Sequence, residues 1–597
     1  MNSVTSVAIQ QSVVQHSSKN KILQSSHRIS WCNYGSDTHI QESENPEAGK
    51  VQETRMEPRI LEWDGSKPLL PIPDTNYAVH FLEMIAKYGD AIAMVNAETQ
   101  EQRSYSELCG LVPRVSAGLH AAGVTLDHAV LYLAPNHIDY PLVLLSVLYC
   151  GAAFAPASPY LRTEELIHMI NVSGVRWAVI HNTVVDKAEA AFSLLPSGTI
   201  KRTWIFGDAA GCPNLLDLMH YEPLPPITKV EGLKPERAVA LMFLSSGTTG
   251  LPKVIMLTHR NLLAGLTLVR CSLSLNDPGT LRKRFMATLL ALPFYHIHGH
   301  HHVVIPMVYG STIVTLSKFS PETFLDSIQK FKVTLMPLVP YFIKFIVETP
   351  LLQHYDLSSL RVIITGGSTL QPSHAAALKQ KINTEVFNVY GMTEATCPTT
   401  QFITTSSFKE GCVGKVQPYF QLKVVNVENG EMLGPGQEGE VCYNGPTIML
   451  GYANNAAATA ETLDAEGWLH SGDIGYFDHD DFVYITDRIK ELIKVKGFQV
   501  SPSELEKLLM THTDVTEAAV VGVRDDRLGE APRAFVVLRP GASIDSSQLQ
   551  QFVASRVSSY KQLAGGIQVV DFLPRSHTGK VLKKLLKKRR VSPAAKL

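Results

Sequence analysis

Short apolar runs alternate with helical stretches along the chain from about Met56 to Asp487. This alternation predicts a large α/β unit built on buried strands. Strands are predicted at 238–244 (AVALMFL), 361–365 (RVIIT) and 385–390 (EVFNVY). Each of these runs leads into a glycine or turn cluster, and α/β sheets bind their ligands at such strand ends.

The pattern changes after 484–488 (YITDR). The remaining ~110 residues are enough for a small domain. Its predicted elements are an acidic helix at 501–512, strands at 517–523 and 533–538, and a basic helix near the C-terminus. We therefore predict a large domain at 56–487 and a small α+β domain at 488–594.

The longest apolar stretch, 141–156, contains Ser146 and Gly151. It is shorter than the ~20 residues that a membrane-spanning helix needs, so it is predicted to be a buried helix. The net charge of −1 over 597 residues excludes a general attraction to nucleic acid or to anionic membranes. The eight cysteines are scattered without a CxxC pair, which argues against a disulfide framework or a structural zinc site.

The two chain ends carry competing targeting signals. Residues 1–36 contain no Asp or Glu and are rich in Ser and Gln, as in a transit peptide. Residues 1–55 as a whole are predicted to be a disordered leader. The C-terminal tripeptide 595–597 (Ala-Lys-Leu) differs by one residue from the peroxisomal address Ser-Lys-Leu. A peroxisomal location and an import receptor as partner are therefore expected, with the mitochondrion and the cytoplasm as alternatives.

The most specific motif is LSSGTTGLPKVIMLTH at 244–259. Its small residues, hydroxyl groups and closely spaced N–H groups can surround a polyphosphate, and Lys253 adds a positive charge. The motif is not a Walker A loop, because no Lys-Ser/Thr pair follows the glycines at the required spacing. A Ser/Gly/Thr hairpin turn is the alternative for the central letters alone.

This loop resembles the signature of the adenylate-forming superfamily, which includes acyl-CoA synthetases, 4-coumarate–CoA ligases, firefly-type luciferases and peptide-synthetase adenylation domains. Further motifs follow in that family's order: SYSEL (104–108), LPFYHIHG (292–299), TGGSTL (365–370), VYGMTEA (389–395), GWLHSGDIGYFD (467–478), DRIKELIKVKGFQVSPSELE (487–506) and PRSHTGKVLKKLL (574–586). The resemblance covers residues 60–590. It implies an α/β fold, with a large multi-sheet N-terminal adenylation domain and a small, mobile α+β C-terminal lid domain.

The resemblance implies that a carboxylic acid and ATP form an acyl-adenylate and pyrophosphate. The acyl group then passes to coenzyme A with release of AMP, and Mg²⁺ assists. Activation is needed because a carboxylate is a poor acylating agent, and the protein must align anionic partners and neutralise charge. The acid would be aromatic or fatty. Two alternatives remain open, a luciferase-like oxygenase that uses the same adenylate and a non-catalytic nucleotide-binding relative.

The family's site residues map onto this chain by motif. The ATP site would comprise Ser245, Ser246, Gly247, Thr248, Thr249, Lys253, Asn388, Tyr390, Gly391, Thr393, Asp473, Arg488 and Lys580. Glu394 and Thr249 would hold the metal. Lys580 would carry adenylation, although it begins a basic run that alone indicates a solvated helix face. For the later members of the run, Lys583 onward, we predict a solvated helix face.

The thioester step would use other groups. The hinge would lie at Lys490, and Lys494 would serve the second half-reaction, while Lys496, Gly497 and Phe498 would contact coenzyme A. His296 would stand beside the carboxylate, and the acyl pocket would include His298, Thr365, Gly366 and Gly367. The run HIHGHHH at 296–302 also suggests a metal site, but it holds no Cys, Asp or Glu.

Val254 departs from the family pattern, which has Gly after the loop lysine. A β-branched side chain resists positive φ, so the exit of the loop is expected to differ. Asn388, Val389 and Asn444 are further departures, and none removes a charged catalytic group.

Overall fold

A computed structural model provides the structure of this protein. It describes residues 57–63, 69–207, 213–225, 234–245, 252–273, 286–368, 370, 372–401, 409, 411–576 and 579–588. The predicted leader and the C-terminal tripeptide lie outside these residues. No helix within the described ranges combines the length and the hydropathy needed to cross a bilayer.

The strands, in chain order, are β1 (Leu61–Glu62), β2 (Ile92–Asn96), β3 (Gln102–Ser104), β4 (Ala129–Leu133), β5 (Ala153–Ala157), β6 (Trp177–His181), β7 (Arg202–Phe206), β8 (Val239–Leu244), β9 (Val254–Thr258), β10 (Ala287–Leu290), β11 (Thr312–Thr315), β12 (Leu335–Leu338), β13 (Val362–Thr365), β14 (Glu385–Asn388), β15 (Tyr390–Gly391), β16 (Pro398–Gln401), β17 (Lys415–Val416), β18 (Gln421–Val425), β19 (Gly439–Asn444), β20 (Gly451–Tyr452), β21 (Leu469–Phe477), β22 (Val483–Arg488), β23 (Ile493–Val495), β24 (Phe498–Val500), β25 (Val515–Asp525), β26 (Gly529–Leu538) and β27 (Ile567–Val569).

The α-helices, again in chain order, are α1 (Tyr77–Ile85), α2 (Tyr105–Ala121), α3 (Tyr140–Tyr149), α4 (Thr163–Ser173), α5 (Val185–Phe192), α6 (His259–Leu273), α7 (Ile297–Val308), α8 (Pro321–Lys330), α9 (Pro340–Glu348), α10 (Pro372–Lys381), α11 (Ala456–Thr462), α12 (Pro502–Met510), α13 (Ser546–Ala554) and α14 (Lys583–Lys588). Several begin at side-chain caps. Ser104 and Glu107, for example, form a reciprocal capping box at α2.

Two seven-stranded sheets form the centre of the N-terminal domain. One has the order β14-β13-β12-β10-β11-β2-β3 and the other the order β20-β9-β8-β5-β4-β6-β7. Their central strands pair in parallel, as the alternation of apolar runs and helices predicted. The predicted strands at 238–244, 361–365 and 385–390 are present as β8, β13 and β14, the last ending at Asn388 before the separate strand β15.

The apolar stretch at 141–156 is buried, but it is not one helix. Helix α3 ends at Tyr149, Gly151 adopts a φ of 79°, and the chain then enters β5. Glycine allows this left-handed turn at no steric cost. The prediction of a buried helix is therefore wrong beyond Tyr149, because continuous apolar character does not distinguish a buried helix from a buried parallel strand.

An antiparallel sheet of order β1-β18-β19-β21-β22 completes the larger part of the fold, together with the small sheet β15-β16-β17. The C-terminal domain has its own sheet, of order β24-β23-β26-β25, with β27 paired to β26. Helices α12 and α13 pack on this sheet around a separate apolar core that includes Leu505, Val520 and Val553. The fold thus has the predicted large N-terminal α/β domain and the small C-terminal α+β domain.

Candidate active site

A cavity of about 1840 Å³ opens between the two domains. Seven of the predicted site residues line it. Six belong to the N-terminal domain: Gly367, Asn388, Tyr390, Gly391, Asp473 and Arg488, the last residue of β22, one position beyond the predicted boundary at 487. Lys580 lines the same cavity from the C-terminal domain. The fold therefore brings together one aromatic ring, one carboxylate and two cations that are far apart in sequence.

Asp473 lies at the centre of a hydrogen-bonded group. Strands β21 and β22 pair so that Asp473 stands opposite Arg488, and the Arg488 Nε lies 2.8 Å from Asp473 Oδ1. The Tyr390 hydroxyl donates to Asp473 Oδ2 at 2.5 Å. Burial and the Asp473 charge raise the pKa of Tyr390, so its hydroxyl stays a donor.

The ends of β13 and β14 form the floor beside this group. Thr365 pairs with Asn388 in parallel register, and the chain continues into Gly366 and Gly367. A Cβ at Gly366 would lie 2.8 Å from the Val389 carbonyl oxygen, so a larger residue would separate the two strand ends. The Thr365 hydroxyl is buried, and no described group serves as its hydrogen-bond partner. Of the four predicted acyl-pocket residues, only Gly367 lines this cavity.

Lys580 follows a turn whose backbone is held by Ser576. The Ser576 N–H donates to the Lys580 carbonyl at 2.8 Å, and the Lys580 N–H donates to Ser576 Oγ at 3.2 Å. Burial, followed by the charge of Arg488, lowers the pKa of Lys580 to about 8, against the opposing effect of Glu491 and Asp473. A desolvated lysine is stabilised in its charged form by an anionic ligand, which fits a role in phosphate chemistry.

Lys583, one turn further on, corrects the reading of the basic run. Its ammonium lies 2.9 Å from Glu491 and 2.9 Å from Glu506, and the two carboxylates raise its pKa despite burial. Lys584, in contrast, is exposed. The expectation of a solvated face is therefore wrong for Lys583, because the helix packs against two acidic side chains that lie elsewhere in the chain.

The base of the predicted phosphate loop is an antiparallel hairpin. The Ser245 N–H donates to the Lys253 carbonyl at 2.8 Å, and the Lys253 N–H donates to Ser245 Oγ at 3.0 Å. Ser246, Gly247, Thr248 and Thr249 lie outside the described residues. Val254 is the first residue of β9, pairs with Leu244 and is fully buried. Its backbone is not in the positive-φ region, as expected for a β-branched residue.

Tyr452 links two predicted groups that do not line the cavity. The Lys253 ammonium lies 4.4 Å from the centre of the Tyr452 ring, and the Tyr452 hydroxyl donates to Glu394 Oε1 at 2.9 Å. Burial raises the pKa of Glu394. Thr393 begins the one-turn segment Thr393–Ala395 that carries this carboxylate. Tyr452 is not among the predicted site residues; it lies on β20, which pairs with β9 directly after Lys253.

The histidines of 296–302 form bonds with the protein itself. The His300 Nδ1 lies 2.9 Å from the Tyr140 hydroxyl, the His302 Nδ1 lies 2.8 Å from the His298 carbonyl, and His301 Nε2 contacts the Thr396 carbonyl. His296 precedes α7 and its ring lies beside Tyr295. Burial lowers the pKa of His298, with His302 adding to the effect, so the His298 ring is neutral. Neither His296 nor His298 is among the described residues that line the cavity.

The residues predicted for the thioester step lie on a hairpin of the C-terminal domain. Lys494 and Lys496 are exposed, and Phe498 is 54% exposed and stacks on Tyr560. Lys496 and Gly497 have φ values of 48° and 87°, a turn in which glycine is favoured. The hairpin contributes no described residue to the cavity. Lys490 lies in the short helix Ile489–Glu491 that joins the two domains.

Among the described residues, Glu440, Cys442 and His470 group their potential metal ligands within 4.8 Å of one another. Glu440 Oε2 lies 2.8 Å from His470 Nδ1, and Glu440 Oε1 accepts from the Gly472 N–H at 2.9 Å. Burial raises the pKa of the Cys442 thiol. These contacts hold the turn at Gly472, where φ is 69°, and so fix the approach to Asp473.

Two family models match the chain. The model described as AMP-binding enzyme matches residues 81–453, and the model described as AMP-binding enzyme C-terminal domain matches residues 504–580. The first covers more than half of the chain. The protein therefore belongs to the AMP-binding enzymes, the adenylate-forming superfamily. Within that superfamily it is an enzyme of the acyl-CoA synthetase and 4-coumarate–CoA ligase-like type.

Relatives and solved structures agree with this assignment. The chain is 35% identical over 525 residues to 4-coumarate–CoA ligase of Vanilla planifolia, covering 86% of this chain and 93% of that protein. It is 35% identical over 552 residues to luciferin 4-monooxygenase of Nipponoluciola cruciata, covering 89% and 98%. The structure of ATP-bound MatB from Rhodopseudomonas palustris matches with a TM-score of 0.76 and 25% identity, covering 86% of this chain and 98% of MatB.

Proposed function

We propose that this enzyme activates a carboxylic acid with ATP to form acyl-AMP and pyrophosphate, and then transfers the acyl group to coenzyme A. The observation that carries the proposal is the cavity in which Lys580 of one domain faces Tyr390, Asp473 and Arg488 of the other. Two cations beside an acceptor-only carboxylate suit a nucleotide, whose ribose offers hydroxyl donors and whose phosphates are anionic.

We assign the nucleotide contacts as follows. The Tyr390 ring and Asn388 would border the base, and Asp473 would accept hydrogen bonds from the ribose hydroxyls. Arg488 and Lys580 would neutralise the α-phosphate, and Ser245 and Lys253 mark the base of the loop that would hold the outer phosphates. In-line attack by the carboxylate needs these partners aligned and the developing charge at phosphorus stabilised.

Glu394 fits the Mg²⁺ that the family implies. Its carboxylate is buried, burial raises its pKa, and a nearby positive charge would relieve the cost of its ionisation. Mg²⁺ is commonly bound through one or two carboxylates together with substrate phosphates, and when bound it neutralises phosphate charge. Tyr452 would orient this carboxylate by its hydrogen bond.

The thioester step would require a second arrangement of the domains. Lys580 lines the cavity, whereas Lys494, Lys496 and Gly497 lie on an exposed hairpin of the same domain. Rotation about Lys490 would exchange the two faces, so that Lys494 serves the thiol step and the Lys496–Phe498 turn receives the pantetheine arm of coenzyme A. His296 and His298 would border the acyl group, with Thr365 and Gly366 at the adjoining strand ends.

A panel of fatty, cinnamic and benzoic acids tests the proposal. With ATP and Mg²⁺, one class is expected to support pyrophosphate exchange, and adding coenzyme A is expected to release AMP together with a thioester. If pyrophosphate exchange and AMP release came with light emission or O₂ consumption but without a thioester, the luciferase-like alternative would be favoured. Absence of exchange with every acid would contradict adenylation itself.

The pH dependence of adenylation follows from Lys580. Its pKa of about 8 is lowered from the ordinary lysine value, so the ammonium form dominates below that pH and is lost above it. We expect kcat/KM for pyrophosphate exchange to be level below pH 8 and to fall about tenfold per pH unit well above it. In Lys580→Arg, whose guanidinium stays protonated, the rate is expected to be lower but this decline should disappear. The same decline in the arginine variant would rule out Lys580 as its source.

A peroxisomal location is a further proposal, supported by the tripeptide 595–597. A chain with a fluorescent protein at its N-terminus should enter peroxisomes, and deletion of the tripeptide should leave it outside. Unchanged localisation after that deletion would reject the proposal.

A further inference from the structure

One carboxylate of the C-terminal domain, Glu517 on β25, meets cations from both domains. The Lys344 ammonium on α9 of the N-terminal domain donates to Glu517 Oε1 at 2.5 Å. The Arg575 Nη2 donates to Glu517 Oε2 at 2.7 Å. The side chains of Lys344, Glu517 and Arg575 are 21%, 18% and 27% exposed, so these are not ordinary surface ion pairs. We call the three residues the Glu517 clamp.

The clamp sets one carboxylate against two cations. Burial alone would raise the pKa of the Glu517 carboxyl, but the hydrogen bonds from Lys344 and Arg575 outweigh it and hold the pKa below its usual value. Charge-assisted hydrogen bonds in a partly desolvated site are stronger than neutral ones or exposed pairs. Loss of Lys344 would leave Glu517 with only its intradomain partner.

Arg575 extends the clamp to the turn that carries Lys580. Its Nη1 donates to the Gly579 carbonyl at 2.8 Å, and its guanidinium carbon lies 5.5 Å from the centre of the Tyr341 ring. A Cβ at Gly579, where φ is 78°, would lie 3.2 Å from Tyr341 Cβ. The turn before Lys580 therefore rests directly on α9, the helix that also supplies Lys344.

The Lys344–Glu517 contact depends on how the two domains are arranged here. Strands β23, with Lys494, and β25, with Glu517, lie in one sheet and are separated by β26 alone, a distance of about 10 Å. They must move together. A rotation that turned the Lys494 hairpin toward the cavity would carry Glu517 away from Lys344.

We propose that Lys344, Glu517 and Arg575 position Lys580 for the adenylation half-reaction and release it for the second one. This inference rests on the proposed function for its catalytic consequence. It assigns Lys344 and Glu517 as positioning residues, because neither needs to touch a substrate to act.

The test compares Lys344→Ala with Lys344→Arg, which keeps the charge, and with Lys332→Ala. Lys332 belongs to the same domain as Lys344, and its ion pair with Asp356 at 3.4 Å is exposed. Its loss should therefore change neither half-reaction. Glu517→Gln removes the Lys344–Glu517 ion pair from the Glu517 side. In Lys344→Ala we expect pyrophosphate exchange to fall roughly tenfold, while thioester formation from supplied acyl-AMP stays within about twofold of wild type. Lys344→Arg should retain most of the exchange activity.

Hydrogen exchange of the substrate-free enzyme gives a readout that needs no catalysis. The amides of Gly579, Lys580 and Leu582 are bonded within the turn, and their exchange should be faster in Lys344→Ala than in wild type or Lys332→Ala. Unchanged protection would overturn the clamp. Faster hydrogen exchange together with an equal fall in pyrophosphate exchange and in thioester formation would overturn the role of the clamp in positioning Lys580. If the wild-type enzyme showed no pyrophosphate exchange with any acid, the proposed function would fail, and amide protection alone would decide the clamp.

Discussion

Replacing Lys580 with alanine is expected to lower pyrophosphate exchange by roughly 10²- to 10³-fold, the size of the effect when a preorganised donor to a developing negative charge is removed. Lys580 lines the cavity opposite Asp473 and Arg488, and burial has already lowered its pKa to about 8. Its desolvation makes its charge more effective than that of an exposed lysine. Thioester formation from supplied acyl-AMP should survive, since the α-phosphate has already reacted in that substrate.

Lys584→Ala is the matched control for Lys580→Ala. Lys584 belongs to the same basic run but is exposed, so its loss should leave both half-reactions and the thermal midpoint unchanged. Lys580→Ala should not unfold the protein either, because it removes a buried cation that lies near Arg488. If pyrophosphate exchange persisted at the wild-type rate in Lys580→Ala, the assignment of Lys580 to adenylation would be wrong.

Asp473→Asn is expected to weaken ATP binding by about 10- to 100-fold, the equivalent of about 1.5–3 kcal/mol for hydrogen bonds to a charged group. The carboxylate is only 5% exposed, accepts from the Tyr390 hydroxyl and pairs with Arg488. An amide can accept at one atom only and leaves the guanidinium without its charged partner. Both half-reactions should suffer, because acyl-AMP carries the same ribose. Calorimetric titration with ATP measures the loss.

Two controls separate binding at Asp473 from a general defect. Tyr390→Phe keeps the ring and removes one hydrogen bond to Asp473, so its effect on ATP affinity should be smaller than that of Asp473→Asn. Asp480→Asn removes an exposed carboxylate that bonds Lys409 and should leave ATP affinity unchanged. An Asp473→Asn enzyme that bound ATP normally would refute a role for this carboxylate at the nucleotide.

The resemblance to the family's motifs allowed much of the site to be predicted before any tertiary information. Tyr390, Asp473, Arg488 and Lys580 were predicted from separate motifs, and the structure places all four around one cavity. The resemblance assigned these residues motif by motif, and their meeting at one cavity supports that assignment, while their roles in the reaction remain predictions. The assignments of the thioester hairpin and of the acyl pocket remain predictions.

Val254 shows what local reasoning left open. The sequence indicated only that Val254 resists positive φ, and the structure places it in β9 opposite Leu244, an environment that β-branched residues favour. Tyr452 was missed for a related reason. Its contacts with Lys253 and Glu394 depend on β20 pairing with β9, and nothing in the immediate sequence specifies that pairing.

The sequence by itself determined the family, the α/β class and several of the strands, because these depend on periodicity and on short motifs. Only the tertiary structure decided which lysines of the basic run are buried. Lys580 faces the cavity, Lys583 is bound by Glu491 and Glu506, and Lys584 is exposed. Burial and charge pairing arise from segments distant in the chain, and they set the electrostatic free energy of each lysine. The Glu517 clamp has the same origin, since its charges meet only when the two domains are in contact.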